Sequence, residues 1–487
     1  METGTLVTLA LYFVLMLGIG FYAWRRSTSD SAGYLLAGRS LSPPVAALSA
    51  GASDMSGWLL LGLPGALYAS GLVEAWIAIG LFAGAWVNWV VVAPRLRQQS
   101  EDRGALTIPA FLAARFPDQA TALRVVSAVV IVLFFAVYTA AGLVGGGKLF
   151  ATSFAGVLPG AGMSDYMLGV WITAGVVLAY TVFGGFLAVS LTDFVQGVIM
   201  LVALVVMPLV VMFGEGGSAG GSIAAVPQAG FLSLTSGLTV LGFVSAVTWG
   251  LGYFGQPHII VRFMALRSVA EVPVARRIGM AWMGVCLIGA IGVGLAGRAY
   301  VERNGIALED PETVFIVLAD LLFHPLVTGF LLAALLAAIM STVSSQLLVA
   351  SSSLTEDMYR LFLRRDCSER EAVMVSRVSV LLVALAAIAI AADPSSGVLG
   401  LVSNAWAGFG AAFGPLVILA LTWDRMTGAG AVAGLVAGAG VVAGWIALGW
   451  NKALPGVDAG LYEIVPGFAA AWLAIVLVSR MTQAKHN

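Results

Sequence analysis

Apolar runs long enough to cross a bilayer recur thirteen times along this chain, near residues 5–23, 44–69, 72–93, 121–149, 164–183, 190–213, 236–256, 277–300, 323–353, 373–392, 397–422, 428–449 and 462–480. A helix needs about 20 such residues to span the hydrocarbon core. The expected fold class is therefore all-α integral membrane, with thirteen transmembrane helices. Composition agrees, because 60% hydrophobic against 10% charged residues, at a mean hydropathy of +0.99, excludes a soluble domain of this size.

An odd number of spans puts the two termini on opposite sides, and the basic residues say which is which. With the N-terminus outside, Lys148, Arg298, Arg303 and Lys452 face outward and the other 20 of the 24 Lys and Arg, Arg262 among them, fall on cytoplasmic segments. That asymmetry is a strong positive-inside signal. The first span is no signal peptide, since its basic pair Arg25-Arg26 follows the apolar run. Residues 108–116, between the third and fourth spans, read as an amphipathic turn.

Within the second window lies Ala47-Leu-Ser-Ala-Gly-Ala-Ser-Asp-Met-Ser-Gly-Trp-Leu-Leu60, which sets the carboxylate of Asp54 at membrane depth. An ionisable side chain there costs at least ~2.5 kcal/mol on insertion scales, so it marks a functional site. Its neighbours Gly51, Ser53, Ser56 and Gly57 are small and weak helix formers, and they predict a broken helix. Unwound backbone survives in a membrane only where it lines a cavity, and its free carbonyls then serve as ligands. A second break is predicted at Thr248-Trp-Gly-Leu-Gly-Tyr-Phe-Gly-Gln-Pro-His258, where three glycines and Pro257 interrupt the ladder. The two breaks are five spans apart, which divides the core into two inverted repeats, 44–213 and 236–422, with 1–43 and 423–487 peripheral. The ninth span carries Ala338, Ser341, Thr342 and Ser345 on one helical stripe, an oxygen-rich face suited to a hard cation.

Other patterns lack the context their chemistry needs. Gly216-Gly-Ser-Ala-Gly220 has no strand before it, and Gly142 to Lys148 lacks the hydroxyl residue that closes a phosphate loop. Cys286 sits in a span and Cys367 in a loop, so the two do not pair. Three histidines and a net charge of −1 argue against a zinc site and against nucleic-acid binding. A channel would need a continuous polar pore and an intramembrane enzyme a catalytic cluster, and neither is visible. A substrate sensor would carry a signalling domain after Lys485.

On these stretches, together with Gly38-Arg-Ser-Leu41, Gly184-Gly-Phe-Leu-Ala-Val-Ser190, Thr192-Asp193, Arg262-Phe-Met264 and Ala405-Trp-Ala-Gly-Phe-Gly-Ala-Ala-Phe-Gly-Pro415, the chain resembles the sodium/solute symporter family, and within it the proline branch. The likeness runs through nearly the whole sequence. It implies a ten-helix (5+5) leucine-transporter-like core that works by alternating access in the bacterial cytoplasmic membrane, with sodium as coupling ion and no other cofactor. The resemblance implies sodium ligands at the carbonyls of Ala52, Met55 and Ala338 and the hydroxyls of Ser341 and Thr342, with Asp54 needed for coupling. L-proline would lie against Ser56, Gly57, Tyr138, Trp249, Tyr253 and Pro257. Asp193, Ser344 and Ser345 are the residues with which some relatives build a second sodium site. Another amino acid or pantothenate as solute, or a proton as coupling ion, are the alternatives; oligomeric state stays open.

Overall fold

The computed structural model describes residues 3–26, 31–154, 156, 162–214, 223–224, 226–395 and 397–483. The Gly216 to Gly220 pattern and Lys485 lie outside the described residues. Apart from two isolated bridges, every regular element among the described residues is helical. The principal ones are α1 (Thr3–Arg26), α2 (Pro43–Met55), α3 (Gly62–Ser70), α4 (Ala75–Asp102), α5 (Ala120–Ser153), α6 (Asp165–Val182) and α7 (Gly184–Phe213) in the first part of the chain. They are followed by α8 (Val240–Val247), α9 (Pro257–Ala265), α10 (Val272–Arg303), α11 (Pro325–Ser352), α12 (Glu369–Ala391), α13 (Val398–Thr422), α14 (Gly428–Ala447) and α15 (Ile464–Gln483). Eleven of these are long and apolar enough to cross a membrane, which makes this a multi-pass membrane protein. The four that fall short are α2, α3, α8 and α9, the pieces on either side of the two breaks.

The first break falls at Ser56. Helix α2 begins with Pro43 and Pro44, whose missing N–H groups cost nothing in a first turn, and stays regular through Asp54 and Met55. Ser56 then takes φ 51° and ψ −172°, a conformation that L-residues avoid. Its Oγ accepts from the Trp58 backbone N–H at 3.1 Å, which replaces part of the lost ladder. One turn of 3₁₀ helix, Gly57–Leu59, leads into α3.

The second break begins at Thr248, as the sequence indicates, but closes at Gln256, two residues before His258. After α8 the backbone runs as 3₁₀ helix from Thr248 to Gly255, becomes extended at Gln256, and resumes as α9 with Pro257 in its first turn. Proline here starts a helix instead of ending one. The membrane segment therefore extends to Ala265, and Arg262, expected on a solvated cytoplasmic segment, is buried with 1% of its surface exposed. Gly252 permits the unwound stretch to press on α13, since a Cβ there would stand 1.9 Å from Trp406 Nε1.

Gly185 turns the chain between α6 and α7 with φ 59°, against the backbone and ring of Tyr34. Helix α2 packs on α7, α9, α10 and α11, and the unwound stretch packs on α4 and α13. Helix α11, the most enclosed of the long helices together with α13, continues through Ser353–Leu363 with π-type bonding. Helix α1 lies outside against α6, α7 and α11, and α14 and α15 pair beside α13. The amphipathic turn is helix Ile108–Arg115, capped by Thr107.

Candidate ion and substrate site

The two breaks meet. Tyr253, in the unwound part of the second broken segment, donates its phenol hydrogen to Asp54 Oδ2 at the end of α2. Tyr138 of α5 donates to the backbone carbonyl of Asp54 at 3.4 Å. Both tyrosines and Asp54 are buried. A carboxylate this deep needs such donors to offset lost hydration, and it is held where α2 opens.

Beside these residues is a cavity lined by Met55, Trp58, Leu81, Trp249, Val402 and Trp406, with Asp54, Tyr138 and Tyr253 completing its wall. Its walls are ordered ring on ring. Trp58 stacks on Trp249 with centroids 5.9 Å apart, Trp249 stacks on Tyr462 at 5.2 Å, and Trp406 meets Tyr253 edge-on at 5.1 Å. Trp406 Nε1 donates to the Trp249 carbonyl at 2.7 Å and so fixes a backbone group that the break leaves free. The indole N–H of Trp58 is buried without a partner. Buried donors are nearly always satisfied, so an orphan in a cavity wall points to a ligand group.

A second group of oxygens lies where α2 crosses α11. Ser341 Oγ is 2.8 Å from the Ala52 carbonyl and 3.1 Å from that of Ala338; Thr342 Oγ1 is 3.2 Å from Ala338 O and 3.5 Å from Ala52 O. Hydroxyls that donate to these carbonyls can turn a lone pair toward a cation instead, and the four oxygens then present an all-oxygen shell. No group of three or more His, Cys, Asp or Glu able to hold a metal occurs among the described residues.

The structure thus brings together Ala52, Ala338, Ser341 and Thr342 in one cluster, and Asp54, Tyr138, Trp249 and Tyr253 in another. Met55 is the last residue of α2, one position before the break, and its side chain lines the cavity. Ser56 forms the break, but its Oγ is engaged by Trp58 N–H. Gly57 faces Ile339 of α11, and Pro257 lines a different, apolar cavity with Thr107, Val261, Leu348 and Ser352. Sequence reasoning missed Trp58 and Trp406 as cavity walls. Both stand in quoted motifs, and tryptophan in small-residue helix stretches was the available signal.

Asp193 of α7 has company that the sequence concealed. Its Oδ2 accepts from Ser49 Oγ at 2.7 Å, Arg262 Nη2 at 3.1 Å and Ser345 Oγ at 3.4 Å. Ser344 Oγ instead bonds the Ser341 carbonyl at 3.1 Å. A tethered guanidinium thus sits on the carboxylate expected to contribute to a second sodium site.

Two discontinuous membrane helices, meeting at a buried carboxylate beside an aromatic cavity and an oxygen cluster, define a transporter of the broken-helix class. The model of the sodium:solute symporter family matches residues 34–438, and the chain belongs to that family. It is 53% identical over 472 residues to a high-affinity proline transporter of Bacillus subtilis, covering 96% of each chain. A sodium/proline symporter of Staphylococcus aureus is 51% identical over 485 residues, 98% of this chain and 93% of the relative. Among solved structures, a sodium-coupled sialic acid symporter in a substrate-bound outward-open state has the same fold at TM-score 0.80 and 19% identity, covering 99% of this chain and 98% of that one. A nucleobase-cation-symport-1 family transporter in a closed conformation follows at TM-score 0.57 and 15% identity, covering 92% of this chain and 94% of its own. The family is one of symporters, not of enzymes.

Proposed function

We propose that this chain is a secondary active transporter that couples inward sodium movement to L-proline uptake by alternating access. The observation that carries the reading is the meeting of both breaks at Asp54 and Tyr253, in a chain 51–53% identical to transporters named for proline. Sodium takes the oxygens of Ala52, Ala338, Ser341 and Thr342, with the carbonyl of Met55 completing the shell as α2 opens, and Asp54 links that shell to the substrate cavity. Proline is a zwitterion with a small apolar ring. Its ring packs on Trp249 and Tyr253, its secondary ammonium faces their π clouds, and its carboxylate takes the N–H of Trp58, with Ser56, Gly57 and Pro257 shaping the breaks around it.

The architecture proposed is thirteen spans, the two broken segments included, with 44–213 and 236–422 as inverted repeats of five and the flanking 1–43 and 423–487 peripheral. The N-terminus lies outside and the C-terminus in the cytoplasm, in line with the distribution of Lys and Arg. One sodium per proline is the stoichiometry favoured, because a second ion at Asp193, Ser344 and Ser345 would share its carboxylate with Arg262. One charge crossing 100 mV releases ~2.3 kcal/mol, enough for about fortyfold accumulation at ~1.4 kcal/mol per tenfold.

Purified protein in liposomes, given radiolabelled L-proline under an inward sodium gradient, tests the reading. Accumulation that vanishes when potassium replaces sodium supports it. Uptake driven by a pH gradient without sodium would replace sodium by the proton, and competition only by other amino acids or pantothenate would replace the solute.

A further inference from the structure

Arg262 and Asp193 are a buried ion pair that neither the substrate cavity nor the cation cluster uses. Their side chains are 1% and 0% exposed, on α9 and α7. In a membrane protein such a pair is costly to desolvate and strongly destabilising to break on one side only, which marks it for function. Its contacts reach further. The guanidinium takes Ser49 Oγ of α2 at 3.1 Å through Nε, the His258 carbonyl through Nη1, and Ser345 Oγ of α11 through Nη2. Four helices are tied at one level.

The position of that level matters. Ser49 is nearly one helical turn before Ala52 on α2, and Ser345 is one turn beyond Ser341 on α11. Helices α2 and α11 therefore touch at two adjacent levels, first through the cation cluster and then through the ion pair. A cation that draws together the oxygens of Ala52, Ala338, Ser341 and Thr342 fixes the spacing of α2 and α11, and with it the two hydroxyls that seat Arg262. Arg262 belongs to the half-helix after the second break, and His258 on the same half-helix lies edge-on to Tyr138, the residue bonded to Asp54. The substrate cavity and the cation cluster thus both lead to α9.

We propose that Arg262 is a positioning residue for coupling: paired with Asp193, it ties the half-helix α9 to the two helices that carry the cation cluster, so that α9 moves only with the cluster's occupancy. This rests on the sodium-coupled reading above. The pair neutralises a charge that α9 would otherwise carry unpaired through the membrane, and its geometry is satisfied only when α2 and α11 are in register.

The test is sodium-free exchange of radiolabelled proline across liposomes containing the full chain, beside the sodium dependence of uptake. Arg262→Gln is expected to raise sodium-free exchange at least ~10-fold, within the range of known coupling energies, while sodium half-saturation moves less than ~3-fold. Arg262→Lys keeps the charge and holds exchange near the native value. Ser345→Ala removes one arm without stranding a charge and leaks less than Arg262→Gln, and it carries the test if that variant does not fold, as judged by proline binding. A folded Arg262→Gln with native sodium-free exchange overturns the tie, as does a loss of sodium affinity without leak, which would make Arg262 part of the ion site. A native Ser345→Ala beside an unfolded Arg262→Gln also overturns it. Native protein that shows no sodium-dependent exchange would instead defeat the sodium-coupled reading.

Discussion

The hydroxyl of Thr342 offers the sharpest quantitative test of the cation cluster, because its oxygen can be removed without changing the side chain's volume. Thr342 Oγ1 stands 3.2 Å from Ala338 O and 3.5 Å from Ala52 O, in a helix where Thr342 is buried. Thr342→Val replaces the hydroxyl by a methyl, so packing against α2 stays and one ligand goes. Losing a buried polar partner costs about 1–3 kcal/mol, which is about 5-fold to about 150-fold in the sodium concentration for half-maximal proline uptake. Thr342→Ser keeps the oxygen and loses one methyl, worth about 0.8 kcal/mol, and is held to about fourfold. The assay is initial-rate uptake in liposomes as sodium is varied at constant ionic strength with potassium. At saturating sodium the maximal rate of the valine variant recovers most of the native value, since the ligand acts on binding. A valine variant with the native sodium curve, or a serine variant as impaired as valine, would refute the assignment of this oxygen.

Three further outcomes follow from the same geometry. Asp54→Asn keeps the shape of the side chain but not its charge, and sodium-driven uptake should fall at least ~100-fold while the protein still reaches the membrane, within what loss of a buried charged partner costs; native sodium affinity in that variant would remove Asp54 from coupling. Trp58→Phe deletes the orphan indole N–H and should weaken proline binding by about 10-fold to about 150-fold, the worth of a hydrogen bond to a charged group, with sodium binding little changed; equilibrium proline binding that matches the native protein would leave the carboxylate without this donor. Gly185→Ala places a Cβ 2.9 Å from Tyr34 O at a φ of +59°, and should lower the yield of folded protein and its melting temperature; a native melting curve would show that the α6–α7 corner has another conformation open to it.

The large features were legible because they are periodic and local. Apolar run length set the helices, Gly and Pro clusters set the breaks, and the spacing of Ala338, Ser341 and Thr342 set a stripe that the fold turns onto Ala52. Asp54 stood out because lipid penalises charge. What stayed hidden depends on partners far away in the chain. Arg262 looked like one more basic residue after a span, and it is partners far off in the chain, Ser49, Asp193 69 positions earlier and Ser345 83 later, that account for its burial. Pro257 was read as interrupting the helix ladder, whereas it stands in the first turn of α9, which continues to Ala265. Trp58 and Trp406 look like ordinary membrane aromatics until the breaks fold them around one cavity.

The most direct measurement of the central claim is the ratio of labelled sodium to labelled proline entering the same liposomes in the first seconds of uptake. Tight coupling through Asp54 and the cation cluster predicts that proline entry requires sodium and that one sodium enters with each proline. Proline entry that proceeds at the native rate with no accompanying sodium would contradict it.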